Sequence, residues 1–587
     1  MASVLLLSLT LPLSTWHADA AFVGHSSLFP IPSPRRLRLS RHTAAPLDDA
    51  VAAPDISASV AADAAVPTAA SFPLIQEYSH VDEDLSAAED RPPAAERYDW
   101  LRAWYPVLLS ESADRGHAHA VRVLGSSFCV WHDGNAWRCY VDRCPHRLAP
   151  LSEGIVDKYQ HTITCAYHGW AFGGPDGKCL DIPQAKNTNV KFATKNKRAC
   201  AQAVPCQVAQ GHVWIWLDIS PEGLKASATT PLPIVDELEL PSFQSTWNDG
   251  RHFMYMRDMP YGAEALLENL LDPAHVPVTH HNSITLQGTK VSRESAGPLD
   301  MALASNVSMT DGFVSAVLGG WSRALDSYTV TFRPPCRLEY RTQKGERTNY
   351  MICYCVPQEP GRSRLFMRAA SSIPQKYDVI PHFVRHMWET YFLNQDMVFP
   401  HQQERNILNQ MAAVGAASGQ SPQEGVPYDR VCFLPSASDV PTRSLRRWLH
   451  KFSPPGIIPT YANTYPRLQA SSALGSAERD RSLLQDVYES HTKHCPICMG
   501  AMRNIRRGKL ASLALAFLTS TATFTSALLR RTGVGSIALM SLAALASASS
   551  YVGLRWVEGR FIMIDFHHQD NHRDVVEKGA PAKAKKK

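Results

Sequence analysis

The sequence predicts an α+β protein: a small all-β module, then an antiparallel sheet covered by helices, then a two-helix apolar hairpin near the C-terminus. Three observations carry this. Short β-type runs with turn signals surround Cys144-Pro145-His146 and Cys165-Ala166-Tyr167-His168. Val291 to Cys355 alternates in β fashion, and Pro374 to Met411 reads as mostly helical. Leu510 to Leu529 and Val534 to Leu554 are each about twenty residues without a charge, enough to span a bilayer.

At 587 residues the chain has room for several domains. Its formal net charge of +5 is spread out, so no nucleic-acid partner is implied. Its 13 cysteines show no disulfide-scaffold spacing, which fits a reducing compartment. The N-terminus reads as targeting sequence. Val4 to Leu13 is a short apolar core, and Ala18-Asp19-Ala20 resembles a small-x-small cleavage site. From Ala21 to Leu47 there is no acid, while Arg35, Arg36, Arg38 and Arg41 supply positive charge. A signal peptide over 1–20, then a plastid transit peptide and linker over 21–95, is the expectation; plain secretion is its competitor. Ala44 to Glu96 is rich in Ala, Pro, Asp and Ser and reads as linker.

Order begins near Tyr98-Asp99-Trp100. The β-type runs are Ala120 to Leu124, Phe128 to Trp131 and Trp137 to Val141, with Asp133-Gly134-Asn135 as a hairpin turn. His212 to Leu217 reads as the closing strand. The two Cys/His pairs sit at loop tips. Two thiolates can hold one iron of a [2Fe–2S] cluster and two imidazoles the other, which raises the potential above that of a four-Cys cluster. A Cys2His2 zinc site is the bland competitor. Pro145, and Gly169 and Trp170 after the second His, favour the iron–sulfur reading.

Asp142 to Gly154 and Cys165 to Trp170 resemble the Rieske loops of chloroplast Rieske oxygenases. That group includes pheophorbide a oxygenase, chlorophyllide a oxygenase and the Rieske protein of the inner-envelope translocon. Respiratory-type Rieske loops carry an extra disulfide, whose cysteines would fall near Ala149 and Tyr167; neither is Cys. The lower-potential oxygenase type is therefore expected, with Cys144, His146, Cys165 and His168 as ligands. The resemblance runs from about Tyr98 to His568. It sets a Rieske domain over 96–235 and a mononuclear-iron catalytic domain over 236–470.

A second constellation lies at Asp272-Pro273-Ala274-His275-Val276-Pro277-Val278-Thr279-His280-His281. His275 and His280 have the His-x4-His spacing of a mononuclear Fe(II) site. Two imidazoles and one carboxylate on a face leave positions open for O2 and substrate. An i, i+5 pair converges poorly on a straight helix, so Pro277 is expected to break the turn. His281 is the fallback for His280. The resemblance makes Asp396 the third ligand, with Glu389 and Glu404 as alternatives. It also makes Asp272 the acid that bridges a Rieske His to a mononuclear-site His across a subunit boundary, with His168 and His275 as candidate partners. A helix-capping Asp is the competing reading. Trp321, Phe332, Tyr340 and Phe366 either line a pocket for a flat apolar ligand or are plain core.

A linker over 471–509 carries Cys495-Pro496-Ile497-Cys498. The pair reads as redox-regulatory, a partner for thioredoxin, or as half of a metal site; His491 and His494 keep a Cys2His2 set open. The transmembrane hairpin spans 510–554. Flanking Arg503, Arg506, Arg507, Lys509, Arg555 and Arg560 place the catalytic part on the stromal side. The 555–587 tail, including Phe561 to His568, reads as solvated.

The reading implied by the resemblance is a ferredoxin-dependent Rieske monooxygenase in a plastid membrane, inner envelope or thylakoid, arranged as a head-to-tail homotrimer. Its expected substrate is a chlorophyll-derived tetrapyrrole, with ring opening of pheophorbide a in chlorophyll catabolism as the leading reaction. Hydroxylation of a linear tetrapyrrole or another plastid pigment is the alternative. A redox-sensing component of the import machinery is the reading from a different class.

Overall fold

The computed structural model describes residues 97–185, 190–248, 253–285, 290–319, 325–418, 428–453, 480–529 and 532–571. The expected signal and transit segments, and Trp321, lie outside these residues.

Four antiparallel sheets form the β structure. The first pairs Trp104–Leu109 with His212–Trp216, which also pairs with Cys206–Ala209. The expected closing strand thus closes on the first strand of the module. The second sheet orders His119–Val123, Ser126–His132, Trp137–Val141 and Ala203–Val204. The third is Ile155–Asp157, Thr162–Thr164, Ala171–Gly173 and Lys178–Asp181, and it carries the Cys/His loops.

The second sheet is buried on both faces, and its period-2 alternation sends side chains into two different cores. Phe128, Val130, Trp137 and Cys139 join a large core shared with the rest of the molecule. Cys129, Trp131 and Tyr140 point the other way, into a smaller core that holds Cys144, Cys165, Ile163 and Phe172. The large core runs through Val235 and Leu238, so packing is continuous across the expected 235/236 division.

The fourth sheet has seven strands. In spatial order they are Phe253–Met259, Arg362–Ser371, Arg347–Glu359, Arg337–Lys344, Ser327–Arg333, Phe313–Val317 and Met301–Leu303. The expected alternation over Val291 to Cys355 covers five neighbouring strands, from the Met301–Leu303 edge into Arg347–Glu359; Arg362–Ser371 and Phe253–Met259 extend the sheet at its other edge. Phe332 and Phe366 are fully buried core. The Tyr340 hydroxyl donates to the Leu270 carbonyl.

Helix α1 (Ala263–Leu271) packs Leu266, Leu267, Leu270 and Leu271 into this core. Short α2 (Val276–Thr279) follows. Helix α3 (His382–Asp396) lies against the sheet, helix α4 (Val398–Ser418) packs on α1, and α5 (Val440–Phe452) lies against the Met301–Leu303 end of the sheet. Arg446 on α5 binds Glu264 at 3.0 Å and also Glu268, fixing α1.

Helices α6 (Pro496–Leu528) and α7 (Val534–Gly559) are long and apolar enough to cross a membrane. At their base Glu558 accepts from Arg506 at 2.6 Å and from Lys509. Beyond α7 the chain returns to the protein, contrary to the expectation of a solvated Phe561–His568. Phe561, Ile564 and Phe566 are buried. The Asn394 amide on α3 donates to the Ile564 carbonyl at 2.9 Å, and Thr492 Oγ1 donates to that of Phe561 at 2.7 Å. Phe561, Ile564 and Phe566 bury their side chains while Ile562 and Met563 stay exposed, and so irregular a spacing carries no periodic signal in sequence.

Candidate active site

The two Cys/His loops share one construction. Leu148 N–H donates to the Cys144 carbonyl at 2.8 Å, and Cys144 N–H donates to that of Ala149 at 2.7 Å. In the second loop, Gly169 N–H donates to the Cys165 carbonyl at 2.9 Å, and Cys165 N–H to that of Trp170 at 2.8 Å. Each loop turns on a left-handed residue at the matching place, Leu148 (φ 59°) and Gly169 (φ 75°). A Cβ on Gly169 would also press on Pro183 Cγ at 3.2 Å. Asp142 accepts from Ser152 N–H and Oγ, both at 2.7 Å, and Gln184 donates to the His168 carbonyl at 2.8 Å. These bonds fix both loops from outside.

The result brings the four expected residues together. Cys144 and Cys165 are buried, and the His146 and His168 rings lie 4.5 Å apart. Trp170 stacks on His146 at 4.8 Å. Burial pushes the Cys144 thiol up to about 11, while the N–H groups of His146 and Arg147 pull against it. Buried His146 Nδ1 has no hydrogen-bond partner. Two buried sulfurs and two clustered imidazoles, one with an unpaired nitrogen, fit a Rieske cluster.

The second set is built where α1 ends. Asp272 ends α1 and caps the 3-10 turn Pro273–His275, accepting from Ala274 N–H at 2.8 Å. The 3-10 turn then widens into α2, with Pro277 in the first turn, where its missing N–H is not needed. His280 caps the far end. The two rings converge because a 3-10 turn joins a one-turn helix that stops at once, and not because Pro277 breaks a longer one. His281 is outside the set: its Nδ1 accepts from Arg293 N–H at 2.9 Å.

Asp396, the last residue of α3, meets both rings. Its Oδ2 lies 3.3 Å from His280 Nε2, and its Oδ1 lies 3.8 Å from His275 Nε2. One ligand atom from each residue falls within 4.8 Å of the others. His280 Nε2 and Asp396 Oδ1 are buried with no hydrogen-bond partner. Two imidazoles, one carboxylate and orphaned donor atoms facing one another fit a mononuclear iron. Burial opposes the charge of Asp396, but His280 and then His275 outweigh it and hold the carboxyl below its usual range. The alternatives go elsewhere. Glu389 is buried, and burial pushes it up to about 7. Glu404 accepts the Gly262 N–H at 3.1 Å on each oxygen, at the start of α1.

Around this set, sequence reasoning missed two positioning residues. Gln395 Oε1 accepts from His280 Nδ1–H at 2.8 Å, and Gln395 Nε2 donates to Ser283 Oγ at 2.5 Å. That leaves His280 Nε2 as the lone-pair nitrogen. Phe392 stacks on the same ring at 3.6 Å. Asp272 Oδ2 sits 3.5 Å from His275 Nδ1, so the acid stands beside this ring as well as capping the turn.

Cys495 and Cys498 lie at the start of α6, buried and unbridged. His491 joins them, with Nε2 at 3.3 Å from Cys498 Sγ. His494 does not; it lies 4.0 Å from Asp258. The fourth member is His386 of α3, which no local sequence pattern marks.

Residues 103–198 match the family model for the Rieske [2Fe-2S] domain, and residues 332–413 that for pheophorbide a oxygenase. The second match contains Asp396. The chain is 30% identical to flavonoid 8-hydroxylase 2 of Ocimum basilicum, covering 81% of this chain and 85% of that protein. It is 29% identical to the protochlorophyllide-dependent translocon component 52 of Arabidopsis thaliana, covering 82% and 87%. To pheophorbide a oxygenase of Arabidopsis thaliana it is 28% identical, covering 87% and 90%. All three are named as chloroplastic.

Proposed function

The chain belongs to the chloroplast Rieske-type non-haem iron oxygenases, and from that premise we propose that it oxygenates a chlorophyll-derived tetrapyrrole, with ring opening of pheophorbide a as the leading reaction. The carrying observation is the His275, His280 and Asp396 set, whose ligand atoms lie within 4.8 Å of one another, with His280 and Asp396 buried. A protein that only transfers electrons has no use for such a set. The match to the pheophorbide a oxygenase model supports the substrate. The Ocimum relative makes a flat flavonoid the second substrate to try.

When bound, the Rieske cluster supplies single electrons and the mononuclear iron supplies the oxygen chemistry. Cys144, His146, Cys165 and His168 would hold the first; His275, His280 and Asp396 would hold the second. Gln395 fixes the His280 tautomer by taking its Nδ1 proton as a hydrogen bond. Phe392 walls that ring from one side. Asp272 would accept from His275 Nδ1–H and from the imidazole of a neighbouring Rieske loop. Its side chain is 37% exposed, which leaves room for a second ring. Leu148 and Tyr167 stand exposed beside the cluster loops, as an apolar rim that a head-to-tail trimer would cover. Ferredoxin is the proposed donor, and a plastid is the compartment its relatives occupy. Two apolar helices support anchoring to a plastid membrane with the catalytic part on the stromal side.

The test is turnover by full-length protein supplied with ferredoxin, its reductase, NADPH and O2. Pheophorbide a and a panel of pigments and flavonoids are read by absorbance and mass. A ring-opened, oxygenated product from pheophorbide a, lost in His275→Ala, supports the proposal. Oxygenation of a flavonoid instead overturns the substrate. Full iron, a reducible cluster and no product from any substrate moves the redox-sensor reading ahead.

A further inference from the structure

Apart from the proposed iron site, four buried side chains turn their ligand atoms toward one point. His386 comes from α3, His491 from the segment before α6, and Cys495 and Cys498 from the start of α6. His386 Nδ1 lies 3.5 Å from each sulfur. His491 Nε2 lies 3.3 Å from Cys498 Sγ. All four donor atoms fall within 4.8 Å of one another. With Zn–S near 2.3 Å and Zn–N near 2.0–2.1 Å, a tetrahedral zinc separates its sulfur and nitrogen donors by about 3.5 Å. The observed separations have that size.

We propose that His386, His491, Cys495 and Cys498 form a closed Cys2His2 zinc site that ties the helix carrying Asp396 to the base of the apolar hairpin.

The surroundings suit such a site. His491 Nδ1–H donates to the Met256 carbonyl at 2.6 Å, which leaves Nε2 as a lone-pair donor and fixes the ring plane. Tyr255 stacks on the same ring at 4.4 Å. His386 stands edge-to-face with Phe253 and Tyr255, both on the first strand of the seven-stranded sheet. Cys495 is the N-cap of α6 and Cys498 is in its first turn, where helix N–H groups favour thiolates. Two thiolates and one Zn2+ sum to no net charge, which suits a buried place. The same site joins three parts of the chain: the sheet edge through Met256, α3 through His386, and the hairpin through the Cys pair.

A pair that cycles with a thiol reductant must be reached by it. Cys495 is 8% exposed and Cys498 1%. A disulfide between them would also leave the His386 and His491 nitrogens facing sulfurs that no longer carry charge or a proton. The two histidines are thus better explained by a metal than by a redox couple.

The test is metal content of full-length, detergent-solubilised protein made in zinc-replete cells. The expected result is about one zinc per chain beside the iron. His386→Ala and Cys498→Ser should lose the zinc and keep the Rieske spectrum; His494→Ala should keep both. Should the variants fail to fold, cobalt exchanged into the wild-type protein decides the matter. Tetrahedral Co(II) with thiolate ligands gives intense visible bands and a sulfur-to-metal charge-transfer band. No zinc in the wild-type protein, a fourth iron in its place, zinc retained in His386→Ala, or a reversible Cys495–Cys498 disulfide in the protein as isolated would each overturn the proposal.

Discussion

Helix α3 presents metal-competent side chains toward both ends, and the two ends are built differently. Near its start, His386 faces two sulfurs and a second imidazole, all four residues buried. At its last residue, Asp396 meets two imidazoles, one of them only partly buried, and among the described residues the set has three donors. Four protein donors close a metal shell; three leave positions for reactants. One helix therefore carries a proposed structural site and a proposed chemical site, and rigidity at the first would hold the carboxylate at the second. The contrast is sharp enough to break by mutation.

The largest effect is expected from Asp396→Asn. The amide has nearly the same shape but no negative charge to offer a metal cation. Turnover should fall roughly 100-fold or more, beyond the usual cost of an outer-shell change. The mononuclear iron should be lost while the Rieske signal and the zinc stay. Metal analysis and electron paramagnetic resonance on one sample read all three. Loss of zinc together with that iron would mean the two ends are not separate sites.

A smaller effect is expected from Gln395→Ala. It leaves all three donors in place and removes the acceptor for His280 Nδ1–H. Iron affinity should fall roughly 10-fold, within the range for outer-shell partners of a metal ligand. Titration with Fe(II) after chelation measures it. An unchanged affinity would show that Phe392 stacking alone sets the ring.

How much of this was readable in the chain depends on how local each site is. The Rieske residues sit in two short loops with Pro145, Gly169 and Trp170 beside them, so spacing and neighbours suffice. His275 and His280 are also local, yet the reason for their convergence was misjudged. A 3-10 turn joined to a one-turn helix leaves no periodic trace. Asp396 was reached through resemblance. His386 was not reached at all, because a histidine on a mostly buried helix has no sequence mark until the fold places it against Cys495 and Cys498. The alternation from Val291 marked five of the seven strands of the large sheet, starting at its Met301–Leu303 edge. Its edge strand, Phe253–Met259, is buried at five of seven positions, and its short run lacks that contrast. Burial of Phe561, Ile564 and Phe566 depends on α3 as a partner surface, which composition cannot supply.

The smallest expected effect concerns what holds the open end in place. Helix α1 leads directly into His275, and its N-cap, Gly262, has no side chain to satisfy the helix N–H groups. Glu404 of α4 supplies the acceptor. Burial pushes its carboxyl up to about 7, against the pull of Gly262 and Arg405. The sign follows from proton counts. Between the unfolded value near 4.5 and about 7, the folded state holds a proton that the unfolded chain has released. Stability from this group is therefore full below that window and is lost as pH rises through it, by roughly 3 kcal/mol at most. Glu404→Gln keeps an acceptor and removes the titration. Between pH 5 and 8 the wild-type protein should lose denaturant resistance and mononuclear iron more steeply than Glu404→Gln, while zinc at the closed end stays level in both. Equal slopes in the two proteins would show that Glu404 is not the titrating group. A parallel fall in zinc would show that the closed end shares the weakness of the open one.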